Sequence, residues 1–134
     1  MPKSVVLALW VFLPLALRAQ SGAPRWVLSA ISAKGDTFYV DLGTVAGSVG
    51  ERAAWVEIRI AAPDTTREGK WGDRQLSYVR FRCDEPKSAV EATFVYSGQT
   101  LVKTTDIPNP SYTTHPPGSI WEGIARAVCN HSLK

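Results

Sequence analysis

Hydrophobic and polar residues alternate with a period of two along most of the chain, which is the pattern of half-buried β-strands. In the segment TFYVDL at 37–42, Phe38 and Val40 point to one side of such a strand and Tyr39 to the other. The same alternation, or a short run of strand-forming residues, recurs in WVLSAI at 26–31, WVEIRI at 55–60, LSYVRFRC at 76–83, VEATFVY at 90–96 and TLVKTT at 100–105. The pattern therefore predicts about six strands.

The segments between the predicted strands contain the residues that favour turns and loops. AKGD at 33–36 and SGQ at 97–99 suit tight turns between antiparallel neighbours. APDTTREGKWGDRQ at 62–75 and IPNPSYTTHPPG at 107–118 are longer and rich in Pro and Gly, which is typical of loops. Since no repeat and no linker interrupts this order, we expect one antiparallel sheet in one domain.

After Pro117 the hydrophobic period changes from two to 3.6 residues, which predicts a C-terminal helix. Ser119, followed three residues later by Glu122, fits a capping box at its start. On a helical wheel one broad arc collects Ile120, Trp121, Ile124, Ala125, Ala127, Val128 and Cys129. A helix with such an arc must cover another apolar surface, so we expect an α+β fold in which it packs on one face of the sheet.

Residues 1–19 have the features of a secretory signal peptide. Lys3 precedes an apolar run of about 13 residues, which is too short to span a bilayer, and Ala19 supplies the small residue expected before a cleavage site. An uncleaved N-terminal membrane anchor is the alternative interpretation, since Arg18 closes the run. We predict cleavage after Ala19, which leaves residues 20–134 as a single domain in the periplasm or outside the cell.

Cleavage also changes the balance of charge. The whole chain has 15 Lys and Arg residues against 12 Asp and Glu, and two of the basic residues, Lys3 and Arg18, lie in the leader. The remaining 13 basic residues nearly balance the 12 acidic ones. A charge this small does not favour polyanions, so we expect no nucleic-acid partner. We also expect no stable membrane insertion after cleavage, because the apolar run leaves with the leader.

The two cysteines are best explained as a disulfide. Cys83 ends a predicted strand and Cys129 lies on the apolar arc of the helix, so both converge on one layer. In an exported protein such a pair oxidises, and closing a loop of about 47 residues contributes about 4 kcal/mol in the chain-entropy model. A nucleophilic Cys129 would need a base, but His131 points to a different side of the helix. A metal site that includes His115 lacks close ligand spacing, and we expect no metal or other cofactor.

Several short segments, taken in their order and spacing, resemble the surface-adhesin protein E-like domain of bacterial exported proteins. They are Trp26, YVD at 39–41, GTVAGSVGERAAWV at 43–56, SYVRFRCD at 77–84, YSG at 96–98 and PPGSIWEGIARAVC at 116–129, so the resemblance covers about residues 26–130. The resemblance implies an antiparallel sheet and a C-terminal helix tied by a disulfide that maps onto Cys83 and Cys129. These expectations agree with those from the hydrophobic pattern.

The resemblance also implies a small exported binding domain, non-enzymatic and adhesin-like, with a protein of the envelope or the extracellular space as its partner. The alternative is a periplasmic structural or envelope-associated protein without ligand chemistry. An adhesin must be displayed outside the cell, and the chain shows no lipid-attachment cysteine near the cleavage site. We therefore expect a periplasmic or secreted location.

Catalytic motifs do not occur in the chain. Acidic residues lie near strand ends, at Asp36, Asp41, Asp84, Glu85 and Asp106. There is no nucleophile elbow, no zinc-binding H-E-x-x-H and no phosphate-binding glycine loop. We expect no enzymatic activity, and we expect His115 to be solvated in its loop.

Two regions are candidates for contact with a partner. The first is the loop REGKWGDRQ at 67–75, where Trp71 lies between glycines with Lys70 and Arg74 beside it. A large aromatic residue in a polar loop is a common anchor of interfaces, because it gains much by leaving water. The alternative is that Trp71 folds back onto the sheet edge.

The second candidate is the polar face of the sheet. WVEIRI places Trp55, Glu57 and Arg59 on one side of its strand, and LSYVRFRC places Tyr78, Arg80 and Arg82 on one side of the next. If the two strands pair, these six residues form a basic and aromatic recognition surface. The alternative is a solvated face with an ion pair to Glu57 and a cation–π contact.

Overall fold

The computed structural model describes residues 23–62 and 72–133. Within these ranges the chain forms one antiparallel sheet, a short 3-10 helix at Leu42–Thr44 and one α-helix, α1, at Ile120–Cys129. The strands are β1 at Trp26–Ile31, β2 at Thr37–Asp41, β3 at Ala46–Gly47, β4 at Glu51–Arg59, β5 at Arg74–Arg82, β6 at Lys87–Ser97, β7 at Thr100–Asp106 and β8 at Thr113–Thr114. The predicted leader with its cleavage site after Ala19, and the loop residues Lys70 and Trp71, lie outside the described residues.

Hydrogen bonds order the sheet as β1-β2-β4-β5-β6-β7, with β3 beside β4 and β8 beside β6. All six predicted strands are present, and the predicted α+β fold of an antiparallel sheet with a C-terminal helix is confirmed. The strand count in the described ranges rises to eight, because β3 and β8 have two residues each and are too short for alternation to mark them. The two predicted tight turns join β1 to β2 and β6 to β7.

One face of the sheet and α1 enclose the hydrophobic core. The sheet contributes Val40, Ala54, Val56, Val79 and Phe81, all fully buried. From α1, Ile124, Ala125 and Val128 pack against them. Full burial of one aliphatic or aromatic side chain contributes about 1.5–3 kcal/mol, so this layer is a major source of stability. The predicted packing of the helix on one sheet face is confirmed.

The helix begins where the sequence pattern indicates. The Ser119 hydroxyl accepts a hydrogen bond from the Glu122 amide at 3.2 Å, and the Glu122 carboxylate accepts one from the Gly118 amide. The carboxylate thus reaches one residue further back than in a capping box. Asn130 caps the other end. No helix in the described ranges is long and apolar enough to cross a membrane.

Two contacts tie the end of α1 to the sheet. The predicted disulfide is confirmed, since Cys83, which follows β5, is bonded to Cys129, the last residue of α1. In addition, the guanidinium of Arg52 on β4 donates hydrogen bonds to the carbonyl oxygens of Val128, at 3.0 Å, and of His131. The helix end is therefore fixed both covalently and by a charged side chain.

The loop between β7 and α1 departs from expectation at His115. This residue is only 7% exposed, its Nε2 lies 2.6 Å from Ser88 Oγ, and its ring stacks on Trp121 with centroids 6.0 Å apart. Burial lowers the pKa of His115. The prediction of a solvated histidine is wrong because β8 pairs with β6, and the next amide, that of His115, bonds to the carbonyl oxygen of Pro86 at 2.7 Å.

Candidate functional site

The sheet face that points away from α1, called the open face, brings most of the predicted binding residues together. Along β5, Arg74, Tyr78, Arg80 and Arg82 alternate with residues that face the core, so all four lie on the open face. The helix of the described ranges packs on the opposite side. Strands β4 and β5 pair as the sequence suggested, with Trp55 directly opposite Tyr78. The antiparallel register places Glu57 and Arg59 opposite Leu76 and Arg74, so these two residues do not lie beside Arg80 and Arg82 as expected.

Aromatic side chains occupy the middle of the open face. The Trp55 ring lies 5.0 Å from that of Tyr78 and 6.0 Å from that of Phe94 on β6, measured between centroids. Tyr39 and Leu76 belong to the next row of cross-strand neighbours on the same face. These five residues are called the aromatic centre, and each of them is partly exposed.

At one end of the aromatic centre, a buried glutamate holds two arginines. The carboxylate of Glu57 lies 2.5 Å from Arg59 Nε and 3.5 Å from Arg74 Nη1. Each guanidinium also lies 4.4 Å from the centroid of a tyrosine ring, Arg59 over Tyr39 and Arg74 over Tyr96. The ion pair to Glu57 and the cation–π contact that the sequence suggested are therefore present, and they orient both guanidinium groups.

A second charge network lies at the other end of the aromatic centre. Arg80 pairs with Glu51 at 3.4 Å and with Glu91, while Arg82 stacks 4.2 Å from the ring centroid of Tyr112. The Tyr112 hydroxyl donates a 2.6 Å hydrogen bond to Glu51. That hydrogen bond, assisted by Arg80, lowers the pKa of Glu51, and burial together with the same bond raises the pKa of Tyr112. Glu51 therefore stays ionised and Tyr112 protonated near neutral pH.

Exposed hydrophobic residues extend the open face to both edges of the sheet. On β1, Trp26, Leu28 and Ile31 are 38%, 49% and 61% exposed, and the register pairs them with open-face residues of β2. On β7, Leu101 is 48% exposed and lies opposite Tyr96. Sequence reasoning missed these residues, because alternation within a strand does not say which side the helix covers.

A shallow depression of about 460 Å³ adjoins the aromatic centre. Its floor consists of Ala46 and Gly47 on β3 and Ala53 on β4, and its walls include Tyr78 and Arg80. It forms because the two alanines, which lie opposite each other, are much smaller than the aromatic residues in the next row. A broad face with a shallow depression favours a macromolecular partner over an enclosed small ligand.

Two of the acidic residues near strand ends serve local structure. Asp41 accepts hydrogen bonds from the amides of Arg25, at 2.7 Å, and Gly43, at 2.9 Å, and Asp36 accepts one from the amide of Ala61 at 3.0 Å. Among the residues that the structure describes, no group of three or more His, Cys, Asp and Glu side chains is arranged to hold a metal ion. The open face, with its aromatic centre and two charge networks, is therefore the candidate functional site.

Comparison with protein-family models gives a match over residues 26–130 to the family described as Surface-adhesin protein E. The matched range begins at the first residue of β1 and ends one residue after α1, so it includes the sheet, the helix and the disulfide. A search of curated proteins finds no matching relative.

Proposed function

The chain belongs to the surface-adhesin protein E family, and we propose that it is an exported, non-enzymatic domain that binds a protein partner on its open face. The main support is the aromatic centre, which lies uncovered by the described helix on the side of the sheet opposite the core. A sheet face without a partner layer usually presents polar residues to water. Here Trp55, Tyr78 and Phe94 take that position, which favours a second molecule as the covering layer.

The distribution of charge on the open face supports a protein interface. Such interfaces combine a core enriched in aromatic residues with a polar rim, and arginine is enriched in both protein contacts and their hot spots. The aromatic centre has the same surroundings, since Arg59 and Arg74 border it at one end and Arg80 and Arg82 at the other. We assign affinity to the centre and orientation of the partner to the rim.

Family and disulfide together indicate an exported protein. We further propose that residues 1–19 direct export, that cleavage follows Ala19, and that the domain at 20–134 acts in the periplasm or outside the cell. An oxidising compartment suits the bond between Cys83 and Cys129, because cytosolic thiols are kept reduced.

We propose that the loop REGKWGDRQ at 67–75 also contacts the partner. Its last residues are tied to the sheet, since the Asp73 carboxylate accepts a hydrogen bond from the Gly98 amide at 3.1 Å and the Asp73 carbonyl oxygen accepts one from the Ile60 amide at 2.9 Å. Lys70 and Trp71 precede this attachment in the chain, and we propose them as further contacts to the partner.

Affinity capture by the oxidised protein from envelope and extracellular fractions tests the proposal. Trp55→Ala and Tyr78→Ala should each weaken binding of the captured partner by about 2 kcal/mol or more, as truncation of a central aromatic anchor does. Calorimetry measures this loss. Arg126→Ala is the control, because Arg126 is exposed on α1 and pairs with Glu122 within the same helix. Circular dichroism checks that all variants are folded. Equal affinity of all three variants for the partner would contradict the proposal.

A further inference from the structure

We propose that the depression beside the aromatic centre is an anchor pocket, and that it takes an uncharged aromatic or aliphatic side chain from an electrically neutral segment of the partner. This inference rests on the proposed function and adds the chemistry of the ligand to it.

Small residues keep the floor of the depression low. Ala46 lies opposite Ala53, and Ala53 lies opposite Arg80 on its other side. Gly47 continues the floor with a φ of 118°, a left-handed conformation that favours glycine. A Cβ atom at this position would lie 2.3 Å from the carbonyl oxygen of Glu51. The backbone therefore excludes a side chain at position 47, and the short side chains of Ala46 and Ala53 leave the space above them for one from outside.

Tyr78 gives the depression an ordered aromatic wall. Its ring packs 5.0 Å from that of Trp55, so it loses little conformational freedom when a ligand contacts it. The volume of about 460 Å³ exceeds that of a single large side chain. An aromatic or branched aliphatic group thus fits between this wall and the alanine floor, in contact with the aromatic centre.

Charged groups around the depression neutralise one another. Arg80 pairs with both Glu51 and Glu91, and Glu51 also accepts a hydrogen bond from the Tyr112 hydroxyl. Arg52 borders the depression as well, but its guanidinium is committed to carbonyl oxygens at the end of α1. A charged ligand would have to exchange one of these existing ion pairs for its own, so it would gain little net ion pairing. An uncharged side chain needs no such exchange.

Charge is balanced over the wider open face too. The basic residues on the open face are Arg59, Arg74, Arg80, Arg82 and Lys87, and the acids on the same face or paired with these arginines are Asp41, Glu51, Glu57, Glu91 and Asp106. Because the two sets are equal in number, the face generates little net field to attract an ionic partner. Association should therefore depend weakly on salt.

The first test is an NMR titration of the oxidised protein with single-residue probes. Two probes are neutral, N-acetyl-tryptophanamide and N-acetyl-leucinamide, and two are charged, N-acetyl-glutamic acid amide and N-acetyl-lysinamide. We expect the neutral probes to shift the amide signals of Ala46, Gly47 and Ala53 saturably, with less than about a twofold change in affinity between about 0.05 M and 0.5 M salt. Tighter binding of a charged probe, or loss of binding at high salt, would overturn the inference.

Filling the depression supplies the second test. Ala53→Phe should weaken the neutral probes about tenfold or more, since the new ring occupies their space. Thr104→Phe is the matched control, because Thr104 lies opposite Phe94 on the open face, away from the depression. Ala46→Leu fills the same space from the two-residue strand β3 and replaces Ala53→Phe if that variant misfolds. Unchanged probe affinity in a folded filling variant would reject the pocket.

Failure of this inference and failure of the proposed function give different results. If Trp55→Ala binds the captured partner more weakly and Ala53→Phe binds it as before, the open face remains the partner site and the depression is rejected. Probe binding at Ala53, combined with a partner that is unaffected by Trp55→Ala, would reject the open face as the partner site.

Discussion

At the scale of single residues, Arg52 is a buried charge whose hydrogen-bond partners among the described residues are backbone carbonyls. It is 7% exposed, and it donates to Ser48 at 3.1 Å as well as to Val128 and His131. The last two carbonyls lie at the C-terminal end of α1, where the helix macrodipole concentrates negative charge. Arg52 therefore caps the helix and ties it to β4 at the same time.

Arg52→Met should lower the free energy of unfolding by about 2–3 kcal/mol, because it removes charge-assisted hydrogen bonds and leaves buried carbonyls unpaired. Urea unfolding of the oxidised protein at neutral pH measures this. The matched control is Arg126→Met on the exposed side of α1, where loss of the pair with Glu122 should cost about 0.5 kcal/mol or less. Equal losses in the two variants would show that Arg52 contributes no more than a surface arginine.

His115 should make stability depend on pH. Burial lowers its pKa below the usual 6.5, so the unfolded chain binds the proton more readily than the folded one. The contribution to stability is therefore complete above pH 6.5 and is lost as the pH falls from there through the lower folded pKa. Urea midpoints measured at decreasing pH below neutrality should decrease over this window.

Two variants separate His115 from other groups. His115→Gln should flatten the pH dependence, whereas His131→Gln should retain it because the contacts of His115 remain. Glu51 and Glu85 have pKa values lowered below the usual 4.5, by hydrogen bonds to Tyr112 and Lys87, so their protonation affects stability only at more acidic pH. A flat dependence in the unsubstituted protein would contradict the assignment.

At the scale of elements, hydrophobic period and turn residues predict the six longer strands and α1, because each of these elements buries one side and exposes the other. Strands β3 and β8 leave no period and exist through their pairing with β4 and β6. The sequence therefore assigned Tyr112 and His115 to a loop, although β8 holds that segment against the sheet. One of the two charge networks on the open face could not be predicted for this reason.

The open face itself was predicted in part. Alternation in β4 and β5 correctly places Trp55 beside Tyr78, but the contribution of Phe94 depends on strand order, which alternation does not specify. Glu51 precedes the predicted start of its strand. Glu91 lies at a β-bulge, where the extra residue breaks the alternation. Arg80 was therefore identified without the two acids that pair with it.

Removing the disulfide should weaken the link between β5 and α1, and it should abolish no reactive function, because we assign none to the two cysteines. The double substitution Cys83→Ser and Cys129→Ser should lower the free energy of unfolding by about 4 kcal/mol, mainly through the greater freedom of the unfolded chain. Because Arg52 still holds α1, circular dichroism should show a folded protein in the absence of denaturant. In the unsubstituted protein, thiol titration after denaturation without reductant should find no free thiol. Two reactive thiols in exported material would contradict the prediction.

At the scale of the whole molecule, export determines where the two cysteines can form their disulfide and where the domain can meet its partner. We predict that the exported protein begins at Gln20, since Lys3, the apolar run and Ala19 have the order of a signal peptide. N-terminal sequencing of the periplasmic or secreted protein measures this directly. Recovery of the chain with Met1 in the membrane fraction would support the uncleaved anchor instead.

The last prediction for the whole molecule compares the contributions of the loop and of a sheet arginine to partner binding. Trp71 lies outside the described residues. We predict that Trp71→Ala weakens binding of the partner by about 2 kcal/mol or more, as loss of an aromatic anchor does. Arg80→Ala should weaken binding by only a few tenths of a kcal/mol, as loss of a rim contact does, because Arg80 already pairs with Glu51 and Glu91 and has little to gain from a partner. Calorimetry on both variants, with circular dichroism to verify folding, compares the two losses. A larger loss in Arg80→Ala than in Trp71→Ala would contradict this ranking, and it would mean that the partner competes with the two glutamates for that guanidinium.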